Sequence, residues 1–267
     1  MRNRTAWRMM VGVLVAAVGL GALPSENLPV TGTPAARAEA PTSGEATTAP
    51  SEEVDDLPLV EVPATKPGGD TLVLLISGDG GWASIDQEVS KALVQQGIPV
   101  VGLNSLRYFW KRRTPEETAA DMARVLRHYL AAWHKQRVVL VGYSRGADLV
   151  PAIAVGLPPD LRDRLDLLAL IAPGKEAEFE VHVMELFGGK GRPTHPVLPD
   201  IQALGGMPVL CLYGDEEVNE SLCPDLSSVP GARLVMLKGG HHFNGDYAGI
   251  GRVILQSLGA PAHLPPR

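Results

Sequence analysis

The sequence predicts an α/β fold, a mostly parallel sheet with helices on both faces. Two observations carry this. The runs "TLVLLIS" (71–77), "RVVLVGYS" (137–144) and "LDLLALIAP" (165–173) are apolar along most of their length, as strands buried on both sides are. Amphipathic stretches of helical period alternate with them, so the strands are joined by crossovers and run parallel.

Taken in order, "LPLVEVP" from Leu57 reads as a short edge strand and 71–77 as the first buried one, ending in "GDGGW". "DQEVSKALVQQG" has helical spacing, with Asp86 near its start and Gly97 as a stop. "PVVGLNSL" (99–106) is the next strand. The following helix opens on Thr114, Pro115 and two glutamates, which cap its start and complement its dipole. Strand 137–144 runs into a helix through "GADLVPAIAVGL"; 165–173, "PVLCLYG" (208–214) and "ARLVMLKGG" (232–240) are further strands, and "DYAGIGRVILQSL" closes the domain as a helix. Residues 175–206 separate two core strands, where a cap insertion over the site is expected; its His182 and His195 are read as structural. Ligands of such sheets bind at the carboxyl ends of the strands, so the loops there are the ones to search.

With 267 residues, one domain with a sizeable core is expected. A net charge of -6 and few aromatics argue against nucleic acid as a partner. Arg2, Arg4 and Arg8 precede an apolar run from Met9 to Leu23, shorter than the ~20 residues of a membrane span. "ARA" at 36–38 has the pattern of a signal-peptidase site, so 1–38 is expected to be a cleaved export signal, the alternative being an uncleaved anchor. Residues 39–56 have too little apolar surface to order themselves and read as a linker, which leaves 57–260 as the folded domain. After export Cys211 and Cys223 meet an oxidising space and are expected to form a disulfide. It would hold the acidic loop between them in place.

The chemistry is expected around Gly142-Tyr143-Ser144-Arg145-Gly146. A serine between two glycines, at a turn from strand to helix, is the context of a nucleophile elbow. Such a serine needs a base, and the base an orienting carboxylate, in the chain order Ser, acid, His. Of the acids after strand 208–214, Glu217 has the favoured spacing from Gly214, with Asp215 as runner-up. After strand 232–240, counting favours His242 as the base, with His241 nearly equal. Oxyanion donors are expected from the main chains of Asp79, in the Gly-rich loop 78–81, and of Arg145. Histidine spacing offers no ligand set, so neither metal nor cofactor is called for.

These residues carry a resemblance. "LISGDGGW", "LNSLRYFWKRRTPEETAADM", "LVGYSRGADLVP", "EFEVHV", "CLYGDEE" with a following cysteine, and "GGHHFNGDY", in that order between Leu57 and Leu258, resemble the VirJ/AcvB family of bacterial virulence proteins. The resemblance implies a periplasmic α/β-hydrolase that cleaves the aminoacyl ester of aminoacylated phosphatidylglycerol, chiefly the lysyl form, with Ser144, Glu217 or Asp215, and His241 or His242 as its triad. It also implies a link to secretion-system proteins. Arg145 departs from the pattern, where an aromatic is expected, and would make the wall beside the nucleophile cationic. Candidate substrate contacts are Gly80, Trp82, Tyr143, Asp148, Arg107 and Tyr108; carboxylates would recognise the ammonium groups, and "RYFWKRR" (107–113) a phosphate and the membrane interface. Buried packing of Tyr108, Phe109 and Trp110 is the competing expectation. The partner expected is thus a phospholipid at a membrane surface; a non-catalytic adaptor or a generic carboxylesterase or thioesterase is the alternative reading. The sequence does not determine the oligomeric state.

Overall fold

The computed structural model describes residues 53–180 and 194–259. The expected export signal (1–38), linker residues 39–52 and the centre of the expected cap, 181–193 with His182, lie outside the described residues.

Seven strands form one sheet: β1 (Leu59–Val62), β2 (Thr71–Ile76), β3 (Val100–Leu103), β4 (Arg137–Tyr143), β5 (Leu165–Ile171), β8 (Val209–Gly214) and β9 (Ala232–Leu237), in the spatial order β1-β3-β2-β4-β5-β8-β9. All neighbours run parallel except β1, which pairs antiparallel with β3 at the edge. The apolar runs are explained by burial on both faces. Along β2, Leu72, Leu74 and Ile76 enter one core while Val73 and Leu75 enter the other. The first core lies under α3 (Pro115–Ala132), α4 (Arg145–Gly156) and α6 (Val197–Ala203). The second lies under α1 (Ser84–Val94) and α7 (Tyr247–Gly259), through Val89, Leu93, Ile250 and Ile254. At the start of α3 the Thr114 hydroxyl accepts the Glu117 N–H at 3.1 Å and the Glu117 carboxylate accepts the Thr114 N–H at 2.9 Å.

Three details differ from the expectations. The strand expected over 99–106 stops at Leu103, because the Asn104 side chain accepts the Arg107 N–H and starts a helical turn, α2 (Ser105–Tyr108). Residues 53–56, placed in the linker on composition, pack on the domain: Val54 is 4% exposed, and Arg124 holds both the Glu53 carbonyl and the Asp56 carboxylate. A short helix, α5 (Pro159–Arg162), precedes β5. The two-residue strands β6 (Glu176–Ala177) and β7 (His195–Pro196) pair where the chain leaves for and returns from the cap region.

Candidate active site

Because the strands are parallel, the loops after β2, β3, β4, β5, β8 and β9 leave from one edge of the sheet. Ser144 stands there between β4 and α4, with φ 52° and ψ −123°. A non-glycine residue held in that region is strained, and it persists only where surroundings enforce it. The flanking glycines make room for it. A Cβ on Gly142 would run into the Gly146 carbonyl, and one on Gly146 into the Ile76 carbonyl of β2. The Ser144 N–H is satisfied by the Ile171 carbonyl of β5 at 2.8 Å, which leaves the hydroxyl as its free chemical group.

The structure brings His241, not His242, to that hydroxyl: Nε2 lies 2.7 Å from Ser144 Oγ. Its other ring nitrogen, Nδ1, lies 3.1 and 3.3 Å from the two carboxylate oxygens of Glu217. Since a carboxylate only accepts, Nδ1 carries the proton and Nε2 is left to accept from the serine. His242, favoured by counting, instead places Nδ1 2.9 Å from the Tyr143 hydroxyl, which also lies 3.2 Å from the His241 carbonyl. Tyr143 itself is buried at 7% exposure, with its ring 5.4 Å from that of His241. Burial pushes its phenol well above the ordinary range. It braces the histidine loop rather than opening onto substrate.

Asp215, the runner-up acid, is engaged elsewhere. Lys238 Nζ at 2.6 Å and the Gly239 N–H at 2.9 Å donate to its carboxylate, and the Lys238 bond foremost holds its pKa down. It clasps the ends of β8 and β9 together. The Cys211–Cys223 disulfide joins buried β8 to the turn beyond the acid loop, and the Leu222 N–H bonds the Pro173 carbonyl, so Glu217 sits on a loop anchored at both ends. Replacing both cysteines by alanine should cost about 3 kcal/mol, with ester turnover lost at temperatures where circular dichroism still reports a folded domain. Loss of fold and activity at the same temperature would count against this anchoring role.

The loop after β2 closes the site. A Cβ on Gly78 would sit 3.5 Å from that of Ser144, and the Gly81 N–H bonds the Gly78 carbonyl to form the turn that carries Asp79. Among the described residues the backbone N–H groups of Asp79 and Arg145 donate to nothing, the condition for a pair of oxyanion donors. Gly80 lies open, with space where a side chain would stand.

The remaining candidates separate. The Trp82 ring covers Gly102 of β3 and packs into the second core, so it is a wall of the fold. Tyr108 is buried, donating to Asp121 at 2.6 Å, while Arg107 is exposed. The Arg145 guanidinium donates to the Glu180 carbonyl at 2.9 Å and lies 3.4 Å from Glu178, so its charge is partnered by the base of the cap; the expected cationic wall is corrected accordingly. Sequence reasoning missed Glu178, since nothing in a cap segment marks an acid as the partner of an elbow arginine. His195 bonds Asp200 at 2.6 Å. Among the described residues no cluster of His, Cys, Asp and Glu could hold a metal.

Asp148, in the first turn of α4, accepts the Gly174 N–H at 2.7 Å. Burial pushes its carboxyl up to about 8, against the pull of that N–H and of Arg145. Between about pH 4 and 8 the native carboxyl keeps a proton that the unfolded chain has released, so stability falls as pH rises through that window. Asp148→Asn retains an acceptor for Gly174 and removes the titration. Relative to it, the wild type should lose up to about 1.4 kcal/mol per pH unit. Denaturation midpoints between pH 4 and 8 measure this; parallel curves would contradict it.

Residues 70–261 match the model of a family described as bacterial virulence protein (VirJ). No curated protein matches the sequence at a significant level. Among solved structures, the chain is similar to MenH from S. aureus (TM-score 0.54, 13% identity, covering 75% of this chain and 97% of that one). It is also similar to the esterase domain of a Rhodothermus marinus protein (0.53, 15%, 73% and 95%). An alpha-beta serine hydrolase homologue from Coxiella burnetii gives 0.52 at 17% identity, covering 75% and 90%. At these identities the likeness establishes the α/β-hydrolase fold.

Proposed function

The chain belongs to the VirJ family of bacterial virulence proteins, and from that premise we propose that it is an exported serine hydrolase of aminoacylated phosphatidylglycerol, working in the periplasm. One observation carries the reading: the hydrogen-bonded chain from Glu217 through His241 to Ser144, beside two unengaged N–H groups. An adaptor has no use for that arrangement. The disulfide fits an oxidising compartment.

In this mechanism His241 Nε2 takes the Ser144 proton as Oγ attacks the carbonyl carbon of the aminoacyl ester. The Asp79 and Arg145 N–H groups hold the negative oxygen of the tetrahedral intermediate, and Glu217 stabilises the imidazolium. His241 then returns the proton to the departing glycerol oxygen, which leaves as phosphatidylglycerol. Water, activated by the same histidine, clears the aminoacyl-serine and releases the amino acid. Asp79 and Glu216 support a cationic acyl group: both are exposed, on the loops flanking Ser144 and His241, with no ion-pair partner among the described residues. Such free carboxylates suit an α-ammonium.

The test is release of lysine or alanine from lysyl- and alanyl-phosphatidylglycerol by the exported chain, with Ser144→Ala alongside. Release by the wild type alone supports the reading and ranks the headgroups. No release, with Ser144 still labelled by a fluorophosphonate, would reassign the site to another ester or thioester. Neither release nor labelling would leave the adaptor reading, linked to secretion.

A further inference from the structure

The turn 107–113 carries Arg107, Lys111, Arg112 and Arg113 without an acid, on a chain whose net charge is -6. Its aromatic residues divide. Tyr108 and Phe109 are buried, at 3% and 0% exposure, whereas Trp110 stands 61% exposed. A groove of about 530 Å³ lies beside it, lined by apolar Pro58, Leu106 and Trp110 and by cationic Arg107, Lys111 and Arg113. The carboxylate on its rim, Asp56, is already occupied by Arg124 at 2.7 Å. Among the described residues Arg107 and Lys111 have no ion-pair partner.

We propose that this turn and its groove are the surface by which the protein docks on an anionic phospholipid bilayer. An indole belongs at the headgroup level, where its apolar ring is shielded and its N–H stays wet, and basic side chains around it meet lipid phosphates. Position favours the same occupant. The turn leaves the carboxyl end of β3, on the edge of the sheet that carries Ser144. It is bolted to the loop carrying Asp79, since Ser77 Oγ accepts the Ser105 N–H at 3.0 Å and the Ser105 hydroxyl donates to the Ser77 carbonyl at 2.7 Å. On its other side the Arg113 N–H bonds the Phe179 carbonyl at 3.0 Å, beside the segment that partners Arg145. A bilayer held on this turn therefore meets both walls of the site. The inference deepens the proposed function, because a hydrolase of a bilayer lipid must reach the bilayer, but its test needs no turnover.

The full chain is equilibrated with vesicles of phosphatidylcholine alone or with phosphatidylglycerol added, and bound protein is measured by sedimentation. Neither lipid carries an aminoacyl ester, so the outcome is independent of the hydrolase reading. The readout is the change in anionic preference of each variant relative to wild type, since Arg2, Arg4, Arg8 and the apolar run 9–23 are common to all of them. Wild type should prefer the anionic vesicles, and the preference should fade in high salt. Arg107→Gln/Lys111→Gln should weaken anionic binding roughly thirtyfold. Trp110→Ala should reduce the blue shift of tryptophan emission on binding, leaving what Trp7 beside the apolar run contributes. Lys66→Gln/Lys135→Gln removes the same charge at the amino ends of β2 and β4, the opposite edge, and should bind as wild type does. Equal affinity for both vesicles, or equal losses in the two charge variants, would overturn the proposal. So would dimerisation that Trp110→Ala abolishes without any lipid preference, which would assign the face to a second copy.

Discussion

Ser144→Ala and His241→Ala are each expected to lower ester turnover by about 10⁴–10⁶-fold, and the double variant to be no slower than either. The non-additivity is the informative part. In the proposed mechanism serine and histidine act as one proton-transferring unit across the 2.7 Å contact, so losing either partner would remove the whole covalent route. The activity left in each variant is what the oxyanion donors and substrate binding supply alone. His242→Ala is the contrast. Its ring meets Tyr143 at 2.9 Å and not Ser144, so it gives up one hydrogen bond at the base of the loop and should slow turnover by no more than about tenfold. Single-turnover rates on a soluble ester for all four proteins make the comparison. Equal losses at positions 241 and 242 would reopen the choice of base.

Glu217→Gln should cost about 10³–10⁴-fold in kcat with little change in KM. A glutamine amide fills the same space, yet its NH2 group can turn toward Nδ1 and favour the tautomer with the proton on Nε2, which cannot accept from serine. Asp215→Asn tests the alternative acid. That carboxylate binds Lys238 and the Gly239 N–H and touches neither histidine, so the substitution should leave kcat within about tenfold. Larger loss at 215 than at 217 would exchange their roles.

Much of this site was legible in the chain. The elbow could be read because its constraint is local: the backbone at Ser144 is possible only with glycines on either side, and a buried strand must run into it. Glu217 was legible too, as its spacing from Gly214 reflects how far a chain travels on leaving a parallel strand. His241 and His242 were not separable. Adjacent residues in a loop point in different directions, and which one faces Ser144 depends on the turn through Gly239 and Gly240 and on the Tyr143 hydroxyl that holds the other. The same limit applies to Tyr108 and Trp110, two residues apart in one turn, one buried against Asp121 and the other left in solvent.

By itself, then, the sequence determined the α/β architecture, the order of its strands along the chain, the elbow that carries Ser144 and the loops from which a histidine and an acid reach it. Those follow from burial on both sheet faces and from short-range backbone geometry, which act within one element and its neighbours in the chain. Tertiary structure alone decided the choice between the two histidines, the clasp of Asp215 on Lys238, the pairing of Arg145 with Glu178, and the side of the turn at 107–113 that meets solvent. Each of those is a contact between residues far apart in sequence. Charge and hydrogen-bonding partners at that range are set by which loops the sheet order brings side by side, and no local pattern encodes it.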